Sequence, residues 1–142
     1  CALPIFAITR AKLFLQISFT SNTISRFYGA IMTNNISIAQ YLSISNNSIT
    51  QCYYGIYFDN DISCTGLNID DNTILHYYNS GIKSNYSLYP YVENQPVNVS
   101  MSNNTIDSTD NGEGATGLYF SALYGVGSVN EPVAERCLRE KI

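Results

Sequence analysis

The central part of the chain contains a few side chains that could perform acid–base chemistry. Asp70 and Asp71 are adjacent, and the single histidine, His76, follows shortly after them. Asp59 and Asp61 form another acidic pair just upstream. Paired carboxylates can catalyse glycoside hydrolysis or bind calcium. Adjacent aspartates are also typical of solvated turns, so Asp70, Asp71 and His76 are candidate catalytic residues and no catalytic set is assigned.

Three tyrosines at a constant interval form a second candidate site. Tyr28, Tyr53 and Tyr78 follow one another at intervals of 25 residues. If each interval is one structural repeat, the three rings lie in a column and could bind sugar rings, with their hydroxyl groups forming hydrogen bonds. The alternative is a purely structural stack, which stabilises a protein by about 0.5–1.5 kcal/mol per pair.

The tyrosine interval belongs to a longer repeat. Two apolar residues at alternate positions are followed by an asparagine three positions later and by an isoleucine two positions after that. A period of this length is typical of repeat architectures, and the two-residue alternation predicts strands rather than helices. The sequence therefore predicts an all-β chain of stacked parallel strands. The four asparagines, at intervals of 25, 25 and 32 residues, are Asn22, Asn47, Asn72 and Asn104.

These asparagines are expected to form a ladder in the interior. The chain must bend after each strand, and asparagine tolerates the left-handed conformation that such a bend needs. Repeats stacked about 4.8 Å apart would let the side-chain amides bond to one another, which offsets the cost of burying them. A glycine follows each asparagine and is expected at a second tight bend. These glycines are Gly29, Gly55, Gly81 and Gly117.

The repeat unit resembles that of the right-handed parallel β-helix proteins of the pectate-lyase-like (pectin lyase fold) superfamily. The resemblance covers residues 13–127 and implies a right-handed solenoid of about four coils. Polysaccharide lyases, glycoside hydrolases, phage tailspikes, adhesins and non-catalytic surface proteins all use this fold, so it does not define a function. Lyases of the superfamily use an Arg or Lys base, but Arg26 and Lys83 have no acidic cluster aligned with them here.

The composition of the 142-residue chain favours a secreted or cell-surface protein. Only 13% of the residues are charged, the net charge is −4, and Ser, Asn, Thr and Tyr must cover the surface instead. Within the repeats, the basic residues are Arg26 and Lys83. This argues against nucleic acid and anionic membranes as partners. Arg10 and Lys12 interrupt the N-terminal apolar run, which argues against membrane insertion.

The four cysteines contain no Cys-x-x-Cys pair, which argues against a zinc site. Cys52 and Cys64 lie in one repeat and could form a disulfide. The favoured interpretation is two small buried residues, because free cysteine is often buried. The other two cysteines are Cys1 and Cys137.

The repeat region is predicted to span residues 15–130, with repeats at 15–40, 41–65, 66–96 and from Val97 onward. Two longer segments, Tyr86–Pro96 and Asp107–Gly114, are predicted to be loops, where functional residues could lie.

Both ends depart from the repeat. Residues 1–14 are a doubtful start, in which Cys1 to Ile5 resemble a translated sequencing adaptor and the rest could complete a partial repeat. Residues 131–142 are rich in charge and are either a short helical cap or a non-native tail. The apolar residues spaced for one helical face are Val133, Cys137 and Leu138.

Two classes of function follow from these observations. The first is a non-catalytic segment of a secreted or surface protein that binds glycans or other surface material. The alternative is a fragment of a polysaccharide lyase or glycoside hydrolase. No cofactor is predicted, except calcium if the chain is a lyase. End-to-end self-association is also predicted, because the first repeat has no recognisable cap.

Overall fold

The computed structural model describes residues 6–9, 12–34, 36–90, 97–108, 115–123, 126–130 and 134–135. The regular elements in these ranges are all strands, and none of the described residues forms a helix long and apolar enough to cross a membrane. The strands are β1 (Phe6–Thr9), β2 (Lys12–Thr20), β3 (Thr23–Ser25), β4 (Gly29–Asn34), β5 (Ile36–Ser45), β6 (Ser48–Thr50), β7 (Tyr54–Phe58), β8 (Ile62–Cys64), β9 (Gly66–Asp70), β10 (Thr73–Leu75), β11 (Ser80–Pro90), β12 (Val97–Ser100), β13 (Thr105–Asp107), β14 (Thr116–Leu123), β15 (Val126–Asn130) and β16 (Ala134–Glu135).

Each strand pairs with strands of the neighbouring repeats, and all pairings in the described ranges are parallel. An eleven-stranded sheet contains the longer strands, and a five-stranded sheet has the order β16-β13-β10-β6-β3. In the latter sheet Ile24 pairs with Ile49, and Ile49 with Ile74. The prediction of an all-β chain with stacked parallel strands is therefore confirmed.

The repeated apolar residues face the interior. Leu42 and Ile44 on β5 are fully buried, and so are their partners Leu67 and Ile69 on β9. Burying such a side chain stabilises a protein by about 1.5–3 kcal/mol. The repetition of these residues thus fixes the register, because a shift of one residue would turn every buried side chain outward.

The bends after the strands use a different residue from the one predicted. The residue before each ladder asparagine has the left-handed conformation, with φ near 57° at Asp71 and Asn103 and near 56° at Asn46. A second bend, four residues after the ladder asparagine, has φ of 55° at Gln51 and 54° at His76. The ladder asparagine therefore provides its amide rather than the bend.

The glycines lie in strands rather than at a second tight bend, which corrects that expectation. Gly55 is in β7 and Gly81 in β11. A Cβ atom on Gly55 would lie 2.6 Å from Cγ2 of Ile74 and against the carbonyl oxygen of Gly81. Glycine is needed there because the backbone of the next repeat and an inward isoleucine leave no room for a side chain.

Two further expectations differ from the structure. Tyr86–Pro90, predicted as part of a loop, continues β11, because Leu88 pairs with Ile62 and Pro90 with Cys64 of the preceding repeat. Ala134–Glu135 form a strand that pairs with β13, whereas a short helical cap was one of the two interpretations of residues 131–142. Residues 91–96, 109–114, 131–133 and 136–142 lie outside the described residues, as does the adaptor-like start.

Candidate functional site

The four predicted asparagines form a hydrogen-bonded ladder. Asn47 donates to Oδ1 of Asn72 from its backbone N (3.1 Å) and from Nδ2 (2.9 Å). Asn72 donates in the same way to Oδ1 of Asn104, with both distances 3.0 Å. Asn22 repeats the arrangement toward Asn47. The second Nδ2 hydrogen reaches a strand carbonyl, Ile44 O at 2.8 Å in the case of Asn72. The amides of Asn47, Asn72 and Asn104 are thus buried with their hydrogen bonds made, which is a structural role.

The structure stacks two of the three predicted tyrosines. The rings of Tyr28 and Tyr53 have centroids 5.1 Å apart and planes within 8° of parallel. Their exposed fractions are 43% and 39%, so the pair lies at the surface. Tyr78 is 57% exposed and makes no ring contact with another described residue.

A one-residue difference between repeats explains why Tyr78 leaves the column. Tyr78 N donates to Cys52 O, as Tyr53 N donates to Phe27 O. Tyr54 then pairs with Ser80 rather than with residue 79, so repeat three carries one more residue here. The extra residue, Asn79, donates from Nδ2 to the Tyr53 hydroxyl at 3.4 Å.

Next to the stacked pair, an aromatic cluster lies on the outer face of the sheet formed by β7, β11 and β14. Tyr54 packs edge-on against Tyr53, with centroids 4.8 Å apart, and stacks on Tyr57 at 4.4 Å. Lys83 Nζ lies 5.3 Å from the Tyr54 centroid and 5.8 Å from that of Tyr119. These distances are within the range of cation–π attraction, so the lysine is held over the aromatic surface.

Polar side chains border this cluster on one side. The Tyr57 hydroxyl donates to Oδ1 of Asp59 (2.7 Å) and accepts from Nδ2 of Asn85 (2.7 Å). Nδ2 of Asn34 donates to Oδ2 of Asp59 at 3.4 Å. Burial, followed by the hydrogen bond to Asp59, raises the pKa of Tyr57. Burial also raises the pKa of Tyr54 to about 12. Both hydroxyls are therefore protonated at neutral pH, and that of Tyr57 uses its hydrogen in the bond to Asp59.

The candidate catalytic residues are not arranged as a pair of free carboxylates. Oδ1 of Asp70 accepts hydrogen bonds from Ser102 N (2.8 Å), Ser102 Oγ (2.9 Å) and Ser100 Oγ (2.8 Å). The exposed Asp71 occupies a left-handed bend, and so does His76, whose N donates to Asp107 O at 2.8 Å. Asp70 thus ties repeat three to repeat four. Among the described residues, no group of three or more His, Cys, Asp and Glu could hold a metal ion.

Cys52 and Cys64 are free and buried, so they do not form the disulfide that was the alternative. Burial raises the pKa of both thiols, that of Cys64 to about 12.

In a Cys1→Ser, Cys137→Ser background, we expect iodoacetamide to alkylate both thiols at least about tenfold more slowly in the folded protein than in urea, because the thiolate is the reactive form. Mass spectrometry of quenched samples gives the two rates. Equal alkylation rates in the folded and the urea-unfolded protein would contradict this burial.

Folding disfavours the thiolate of Cys64, because burial raises its pKa to about 12. The contribution of the protonated thiol to the free energy of unfolding is therefore complete below pH 9 and is lost as the pH rises toward about 12.

Sequence reasoning missed the residues of the outer cluster. In the row that pairs across repeats, Met32 is opposite Tyr57, which is opposite Lys83 and then Tyr119. These types do not repeat, so no periodic signal marks the row. The signal that could have found it is position, since each residue directly follows an Ile or Leu that packs in the core or against it.

No protein-family model, curated protein or solved structure matches this chain. The likeness to parallel β-helix proteins therefore depends on the repeat and on the strand pairing described above.

Proposed function

We propose that this chain is a segment of a right-handed parallel β-helix protein of the pectin lyase fold that is secreted or on the cell surface and binds glycans without transforming them. Support for the fold comes from parallel pairing at the repeat interval and from the buried asparagine ladder. An experimental structure with antiparallel pairing, or with a left-handed path between repeats, would contradict it.

The observation that carries the binding proposal is the cluster of partly exposed tyrosines with polar groups beside them. Tyr78 offers a ring face that no described aromatic residue covers, and the next residue, Asn79, donates from Nδ2 to the Tyr53 hydroxyl. Sugars commonly bind in this way, with an apolar ring face on an aromatic side chain and hydroxyl groups on neighbouring amides. In the stacked pair, by contrast, each ring covers one face of the other.

A glycan array probed with the fluorescently labelled chain would test this function. We expect binding to a subset of glycans and an affinity about tenfold weaker for Tyr78→Ala, which corresponds to about 1.4 kcal/mol. The matched control is Tyr41→Ala, because Tyr41 is 43% exposed and lies on β5, away from the site. Equal losses in both variants, or no binding at all, would contradict the proposal. Release of unsaturated or reducing sugar ends would instead support the lyase or hydrolase alternative.

A further inference from the structure

The stacked pair Tyr28–Tyr53 has a geometry that favours a reaction between its two rings. The rings are nearly parallel at 5.1 Å between centroids, and both are partly exposed. Their backbones are held in adjacent repeats, because Tyr53 N donates to Phe27 O (3.0 Å) and Tyr54 N to Tyr28 O (2.8 Å). The two phenols are therefore kept together by the fold and do not need to meet by diffusion.

Tyr54 packs against both rings of the stacked pair. Its ring meets Tyr28 and Tyr53 edge-on, with centroid distances of 5.3 Å and 4.8 Å and interplanar angles of 88°. Tyr54 is itself buried, so a dissolved oxidant meets Tyr28 and Tyr53 before it meets Tyr54. Access and proximity thus select the same two rings.

We propose that Tyr28 and Tyr53 are a site of oxidative cross-linking, where a haem peroxidase with hydrogen peroxide joins the two rings into dityrosine. Each phenol loses one electron and its hydroxyl proton to become a phenoxyl radical. The radicals couple through the ring carbons next to the hydroxyl groups, and the hydrogens on those carbons shift to the oxygens and restore both phenols. The two electrons and two protons reduce one hydrogen peroxide to two water molecules, so the step balances.

The product would tie repeat one to repeat two covalently. The cross-link closes a loop of 25 residues and restricts the unfolded chain in the way that a disulfide does. Cys52 and Cys64, which are free, do not perform this task. We therefore expect the cross-linked protein to melt at a higher temperature than the untreated protein.

Other exposed tyrosines should not react in the same way. Tyr41 and Tyr78 are as exposed as the pair or more so, but neither ring contacts the ring of another described aromatic residue. Their radicals can couple only after an encounter with a second molecule, so their products should be dimers whose yield falls on dilution.

The sequence allows a direct assay. Cyanogen bromide cleaves after methionine, and the two methionines divide the chain into residues 1–32, 33–101 and 102–142. Tyr28 is the single tyrosine of the first fragment. The dilute full chain is treated with horseradish peroxidase and hydrogen peroxide, the monomer is isolated and cleaved, and joined fragments are identified by mass and by dityrosine fluorescence.

We expect the monomer to contain fragment 1–32 joined to fragment 33–101. Tyr28→Phe and Tyr53→Phe keep the ring but should abolish the joined species, whereas Tyr41→Phe, Tyr78→Phe and Tyr54→Phe should retain it. Dityrosine confined to dimers, or a joined species that persists in Tyr53→Phe, would overturn the proposal. So would a cross-linked monomer with an unchanged or lower melting temperature.

Discussion

The substitution Asn72→Leu should lower the free energy of unfolding by about 3–5 kcal/mol, because it removes several buried hydrogen bonds at once. Asn72 Oδ1 accepts from Asn47, and its Nδ2 donates to Asn104 Oδ1 and to the carbonyl oxygen of Ile44. Leucine has about the same size, but its side chain can form none of these hydrogen bonds. Each partner left buried and unpaired costs about 1–3 kcal/mol.

The matched control is Asn85→Leu, which should cost less than about 1 kcal/mol. Asn85 is exposed, and its side chain donates to the Tyr57 hydroxyl, which retains its bond to Asp59. Urea denaturation followed by circular dichroism gives both values, since the midpoint falls with stability at constant slope. Equal midpoints for the two variants would contradict a buried ladder.

The substitution Gly55→Ala should destabilise the protein by about 1–3 kcal/mol, although it adds one methyl group. The added carbon would lie 2.6 Å from Cγ2 of Ile74 and against the carbonyl oxygen of Gly81. A backbone carbonyl cannot rotate away, so the two repeats would have to separate and lose part of their parallel hydrogen bonding.

Gly29→Ala provides the comparison for this prediction, and the same urea titration measures both variants. The nearest atoms to a Cβ on Gly29 all belong to the Met32 side chain, which is flexible and can adopt another rotamer. We expect a change below about 1 kcal/mol. If Gly29→Ala were as damaging as Gly55→Ala, conformational preference rather than crowding would be the cause.

The interior of this chain could be predicted from one sequence because stacking repeats the same environment. Leu42, Leu67 and Val99 occupy equivalent places in successive repeats, so the pattern of apolar residues is visible without other sequences. The same reasoning applies to the asparagines, since an amide in a ladder needs another amide above or below it. The inward apolar residues and the asparagines were therefore placed correctly, with Asn47 and Asn72 at the centre of the ladder.

The bends and the surface could not be predicted in the same way. The left-handed positions are occupied by residues as different as Ser21, Arg26, Gln51 and His76, so residue type does not reveal them. Such positions are uncommon for residues other than glycine and are imposed here by the strands on either side.

The candidate site depended on insertions that break the repeat. The one extra residue at Asn79 separates Tyr78 from the column. Asp70 bonds to Ser100 and Ser102 because, after the longer 32-residue interval, the strand of repeat four pairs in register with that of repeat three. Neither effect has a signal in the residue types themselves, since both depend on how an irregular segment rejoins the sheet.

The asparagine ladder also has a polarity. Every backbone N and Nδ2 that bonds along it donates toward the C-terminal neighbour, from Asn22 to Asn47, Asn72 and Asn104 in turn. The two ends of the ladder are therefore chemically different, because each link runs from a donating amide to the accepting Oδ1 of the next asparagine. Two copies that continued the ladder across a junction would have to meet head to tail. A junction of that kind is heterologous, and it leads to open filaments rather than to closed pairs.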